Sequence, residues 1–137
     1  MSRRSRVREV VLQVLYQDDL NPGRDPKTAD TFVARRLRND LELVQFARLL
    51  LSGVRRNVDE LDELLNERAD NWDLERMAAT DRNVLRLGAF EILYTETPGR
   101  VAINEAVELA KRFGAKNSAQ FVNGILDGFL PTKDADP

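Results

Sequence analysis

Apolar residues recur along this chain every three or four positions, the period of a helix with one face turned inward. From about Arg4 to Leu20, Val7, Val10, Val11, Val14 and Leu15 gather on one side, and two prolines and a glycine in Asn21–Pro26 end the segment. Thr28 to Arg38 predicts a short helix with Phe32, Val33 and Leu37 inward. The longest periodic stretch, about Leu41 to Arg68, carries Leu43, Phe46, Leu50, Val54, Val58, Leu61 and Leu65, and Gly53 is the place for a bend. A short irregular or helical piece with Trp72 follows around Asn71 to Met77. Thr80 is placed to cap a helix over Asp81–Tyr94, which ends before Thr97-Pro98-Gly99. In Val101–Phe113 the inward positions are Ile103, Ala106, Val107, Ala110 and Phe113, and Gly114 stands where a left-handed C-cap residue belongs. A last helix runs from Ser118 to Leu130, capped by Asn117 or Ser118 and stopped by Pro131.

No segment alternates with the period of a strand between hairpin turns, so the pattern predicts an all-α fold of six or seven helices. The short connections favour antiparallel neighbours in a bundle. One domain is expected over residues 1–131, with 132–137 a disordered tail.

Composition narrows the chemistry. The 137 residues are 42% hydrophobic and 32% charged, the balance of a globular domain with a substantial core. No apolar run approaches the ~18 residues of a membrane span, and the polar, basic opening lacks a secretory apolar region, so the cytoplasm is the expected location. The chain holds no cysteine and no histidine. Disulfides, thiolate nucleophiles, Cys/His zinc sites and imidazole acid–base catalysis are thereby excluded. The pairs Glu105/Glu108 and Asp59/Glu63 each share a helix face, but neither has a third acid or a glycine-rich loop beside it, and they read as solvated faces. No enzyme activity, cofactor or metal is expected.

The net charge of −2 hides an uneven distribution, because Arg3, Arg4, Arg6 and Arg8 precede the first acid, Glu9. Arginine pairs its planar fork with phosphate oxygens, and cations are disfavoured at a helix N-terminus, so the run points to a use beyond the helix itself. On the same helix Arg8, Leu12 and Tyr16 lie four apart, and Gln13 points away from the valine stripe. A second cationic and aromatic group follows in Lys111, Arg112, Phe113, Lys116 and Phe121, with Asn123 as an amide able to read base edges. Cations for phosphate and rings for bases are what single-stranded RNA requires. Phe113 and Phe121 also occupy core-like positions, and both readings stand at this point.

These stretches resemble a known family. "DRNVLRLGAFEILY", Pro98, "VAINEAVELAKRFG" and "SAQFVNGILD" look like the C-terminal half of the bacterial NusB transcription antitermination factors, and "RRSRVREVVLQVLYQ" is similar to their arginine-rich first helix. The resemblance implies two packed three-helix bundles. It also implies a non-catalytic adaptor that binds the boxA RNA of ribosomal RNA leader transcripts together with NusE, a small-subunit ribosomal protein, in an RNA polymerase antitermination complex. Carried over by position, it places Arg3, Arg4, Arg6, Arg8, Gln13, Tyr16, Lys111, Phe113, Phe121 and Asn123 at RNA, and Tyr16, Glu75, Asp81 and Arg82 at NusE. Asn117 stands where relatives often carry Asp, and Ser5 and Val7 interrupt the arginine run, two departures that bear on affinity. The alternative is a protein-interaction module that homodimerises, or docks on a ribosomal protein, with little RNA affinity of its own. A third use of this fold, the RNA-binding domain of a ribosomal RNA methyltransferase, is disfavoured because no cofactor-binding domain follows.

Overall fold

The computed structural model describes residues 2–69 and 73–131. Seven α-helices and one 3-10 turn make up the described residues, and none of these residues is in a strand. The helices are α1 (Arg3–Leu20), α2 (Pro26–Arg36), α3 (Leu41–Arg56), α4 (Val58–Arg68), α5 (Ala79–Tyr94), α6 (Gly99–Phe113) and α7 (Ser118–Asp127), with the 3-10 turn at Leu74–Arg76 before α5. Trp72 and the segment 132–137, expected to be a tail, lie outside the described residues.

Three helix starts follow directly from short polar side chains that satisfy free backbone N–H groups. Ser2 accepts from the Ser5 amide, Asp25 from Lys27 with Pro26 beginning the helix, and Asp40 from Leu43. The long stretch from Leu41 to Arg68 is two helices, and the break falls at Asn57 rather than at Gly53. The Asn57 side-chain amide donates to the Gly53 carbonyl at 2.8 Å, competing with the helical ladder there. Gly53 has another purpose: a Cβ on it would lie 2.0 Å from the Phe90 ring, so its absence lets α3 and α5 close on each other.

Two expected caps are also corrected. Thr80 lies inside α5, whose N-cap position is Ala78 without a side-chain hydrogen bond. Gly114 is extended, with φ −94° and ψ −171°, and not left-handed. A Cβ there would sit 2.7 Å from the Ala110 carbonyl oxygen and from Ser118, so close approach, and not a positive φ, demands glycine. Ser118 in turn accepts the Ala115 amide at 2.9 Å, which fixes the α6–α7 turn.

Helices α1–α3 form one group and α5–α7 the other, with α5 central and packed against α1, α3, α4, α6 and α7. Its Val84, Leu85, Leu87 and Ile92 are fully enclosed, and Gly88 admits Leu126 of α7. Helix α1 contacts α2, α3, α5 and α6, so it is buried on more than its valine stripe; Arg8, Glu9 and Leu12 are inside as well.

Candidate nucleic-acid interface

The four N-terminal arginines part company once α1 is packed. Arg3, Arg4 and Arg6 are exposed. Arg3 pairs with Asp40 at the start of α3, and the Arg4 guanidinium lies 4.2 Å from the centre of the Phe46 ring. No hydrogen bond or ion pair engages the Arg6 side chain among the described residues. Arg8 departs from the expected surface role, because it is only 3% exposed. Its Nε and Nη2 donate to Glu91 Oε1 and Oε2 at 2.6 and 2.8 Å, and Nη1 lies 3.5 Å from Glu105. Burial works to lower the Arg8 pKa, but the Glu91 hydrogen bonds and the charges of Glu91 and Glu105 outweigh it and raise it. Arg8 is thus an internal tie between α1, α5 and α6. Glu105, read as part of a solvated face, is engaged by Arg8 and by the Ser5 hydroxyl at 2.8 Å, whereas Glu108 is exposed.

The stripe Arg8, Leu12, Tyr16 runs from the interior to the surface, and at its outer end the fold opens a cleft of about 530 Å³. Gln13 and Tyr16 of α1 and Phe113 at the end of α6 line it together, although Phe113 is about a hundred residues away in sequence. Tyr16 is 36% and Phe113 39% exposed, so both rings reach solvent. Arg112 lies 5.6 Å from the Phe113 ring and pairs with Glu9, a residue that sequence reasoning had not linked to the site. The cleft also contains Phe32 of α2, expected only as an inward residue, and Arg36, which the sequence pattern had not singled out. Lys111 is exposed and reaches Glu108 at 3.4 Å. Phe121 and Asn123 do not line this cleft; Phe121 is half-buried against the core and Asn123 is exposed.

The start of α5 carries the other expected contact. Glu75 is exposed, and Asp81 is half-buried with one carboxylate oxygen, Oδ1, enclosed and without a hydrogen-bond partner among the described residues. Arg82 turns inward: Nε donates to Asp19 at 3.0 Å, and Nη1 lies 3.3 and 3.4 Å from the carbonyls of Leu74 and Met77. Asp19 also accepts from Asn83 at 2.8 Å and Arg86 at 3.1 Å, and Arg86 forks onto Asp62 with two bonds of 2.7 Å. Burial pushes the Asp19 carboxyl up, but hydrogen bonding from Asn83, the charge of Arg86 and bonds from Arg82 and Arg86 hold it below the ordinary carboxylate range.

Fold and surface together define the class, an all-α protein with exposed arginines at the start of α1 and exposed rings at Tyr16 and Phe113. The chain belongs to the NusB family, whose model matches residues 5–131. A transcription antitermination protein NusB from Myxococcus xanthus is 43% identical, over 93% of this chain and 94% of that protein. Another protein of that name, from Desulfotalea psychrophila, is 44% identical with the same coverages. Among solved structures, NusB of T. maritima superposes with a TM-score of 0.84 at 35% identity, covering 96% of this chain and 92% of that one. A crystal structure of the antitermination factors NusB and NusE in complex with double-stranded RNA gives 0.82 at 26% identity, covering 96% and 98%. Membership in this family sets the chain among factors rather than enzymes.

Proposed function

We propose that this protein is a transcription antitermination factor that binds boxA RNA of ribosomal RNA leader transcripts together with NusE and joins the RNA polymerase antitermination complex, working in the cytoplasm. The observation that carries the reading is the cleft in which Phe113 of α6 meets Gln13 and Tyr16 of α1, the helix that begins with exposed Arg3, Arg4 and Arg6. Phosphate contacts supply affinity and register, and exposed rings and amides supply contact with bases. Exposed Lys111 and Asn123 and half-buried Phe121 lie outside the cleft and are kept as further RNA contacts on the family resemblance. Relatives support both partners, since a NusB of similar structure was crystallised with NusE and double-stranded RNA. Exposed rings at Tyr16 and Phe113 favour unstacked bases, so single-stranded RNA is the form proposed here. No helix among the described residues is long and apolar enough to cross a membrane.

NusE is placed at Tyr16, Glu75, Asp81 and Arg82. Exposed Glu75 and half-buried Asp81 put two carboxylates at the start of α5, and this exposed acidic edge supports the placing. The alternative, a homodimer or simple docking module, has its own observation in exposed Leu49, Tyr94 and Val101 around Phe46 and Arg4. One experiment tests where NusE docks. Asp81→Lys is expected to weaken NusE binding at least tenfold by calorimetry while RNA binding by the isolated protein and its melting stay near wild type. Unchanged NusE affinity would show that the partner docks elsewhere.

A further inference from the structure

The turn from α2 to α3 lies between the cleft and the arginine run. Arg36, the last residue of α2, lines the cleft and donates to Gln13 Oε1 at 3.3 Å. Four residues later Asp40 pairs with Arg3 at the start of α1. Residues 37–39 therefore cross the ground between the two groups of RNA-facing side chains. The Arg38 amide donates to the Arg35 carbonyl at 3.1 Å and the Asn39 amide to the Ala34 carbonyl at 2.8 Å, the paired bonds of a Schellman ending. Such an ending puts the residue after the cap in the left-handed region, where glycine is the usual choice. Here that residue is Arg38, at φ 54°, followed by Asn39 at φ 57°. Asparagine tolerates this backbone, but the Cβ of an arginine is brought too close to the following carbonyl oxygen. The helix dipole does not account for the choice, because Arg35 and Arg36 already complement it from the last turn. Arg35 and Arg38 are both exposed, and neither makes a hydrogen bond or ion pair among the described residues. Asp40, close by in sequence, is already engaged, one oxygen accepting the Leu43 amide and the other facing Arg3. Glu42 is exposed on the first turn of α3, where its charge suits that helix's dipole. An arginine held in strained backbone without a partner in its own chain points to a contact outside it.

We propose that the α2–α3 turn carries the RNA backbone from the cleft to the start of α1, with Arg35 and Arg38 facing the phosphates in between. A guanidinium fork matches phosphate oxygens whatever base is attached, so this stretch of the track is independent of sequence. Neither the arginine run nor the residues carried over by family resemblance include these two. The proposal rests on the RNA reading above and adds the path of the strand and two contacts that hold it.

The chain holds no cysteine, so a single cysteine substitution gives a unique attachment point for a benzophenone photo-crosslinker. Arg6→Cys, Tyr16→Cys and Arg38→Cys are each labelled, mixed with NusE and boxA RNA, and irradiated, with exposed Arg48→Cys of α3 as the control. The nucleotide marked from Arg38→Cys is expected to lie between those marked from Arg6→Cys and Tyr16→Cys, and Arg48→Cys is expected to mark none. A second measurement is the slope of log Kd against log salt concentration for the same RNA. Arg35→Ala/Arg38→Gly is expected to flatten it by about 1.4, or about 0.7 for each phosphate contact on a single strand. The melting temperature is expected to hold or rise, because glycine relieves the left-handed position. Removing two exposed arginines elsewhere, as in Arg48→Ala/Arg56→Ala, is expected to leave the slope at its wild-type value. The path is overturned by a mark outside that interval, by equal marking from Arg38→Cys and Arg48→Cys, or by a wild-type slope in the folded Arg35→Ala/Arg38→Gly variant. In each case marks from Arg6→Cys and Tyr16→Cys leave the RNA reading standing. If neither of those marks the RNA, both readings fall.

Discussion

Burying an arginine is tolerable only when its donors are met, and Arg8 meets Glu91 and Glu105 in a setting where Glu91 itself is 1% exposed. Arg8→Ala leaves the Glu91 charge enclosed and unpaired, and a loss of about 3–5 kcal/mol in urea unfolding is expected. The double variant Arg8→Met/Glu91→Leu is expected to recover most of it, since an apolar pair of similar volume needs no compensation. A single variant within 1 kcal/mol of wild type would show that the pair is not the tie described. Asp19 makes a second prediction of the same kind. Its carboxyl is held below its ordinary value in the folded chain, so its contribution is present above the unfolded pKa of about 3.9 and disappears as pH falls through the folded value. Asp19→Asn is accordingly expected to lower stability at neutral pH and to flatten the decline on acidification below about pH 5. Parallel pH profiles for wild type and variant would contradict this. Neither role was legible in the sequence. Arg8 sits in an arginine run like its neighbours, and only a partner 83 positions away distinguishes it.

At the scale of the elements, sequence periodicity was sufficient for most helices because one apolar stripe decides a surface helix. The Asn57 break was hidden, since the apolar spacing continues across it and only a side-chain bond to the Gly53 carbonyl interrupts the ladder. Gly53 and Gly124 show how packing overrides propensity. Both are helical, and alanine in place of glycine gains about 0.5–1 kcal/mol in an open helix position. A Cβ at Gly124 meets nothing within 4 Å, so Gly124→Ala is expected to raise the melting temperature. A Cβ at Gly53 overlaps the Phe90 ring at 2.0 Å, and overpacking of this kind costs about 1–3 kcal/mol, enough to reverse the sign. Thermal melts with Gly53→Ala below wild type and Gly124→Ala above it check the argument; the same sign for both would refute it. Phe121, at a core-like spacing in the sequence, is half-buried, whereas Phe129 just beyond α7 is 2% exposed.

For the whole molecule the central claim is that the start of α1 holds RNA phosphate while the cleft at its far side receives bases. The sequence supplied the arginines and Tyr16, but not the way α2 and the end of α6 close around Gln13, which depends on how the helices pack. Packing also decides which arginines an electrostatic test can remove, because Arg8 must be left in place to keep the fold. The decisive measurement is the dependence of log Kd on log salt concentration for boxA RNA bound with NusE, comparing wild type with Arg3→Ala/Arg4→Ala/Arg6→Ala. Each phosphate contact on single-stranded RNA contributes about 0.7 to that slope, so the triple variant is expected to flatten it by up to about 2 with its melting temperature nearly unchanged. A slope equal to wild type in a fully folded variant would contradict the account.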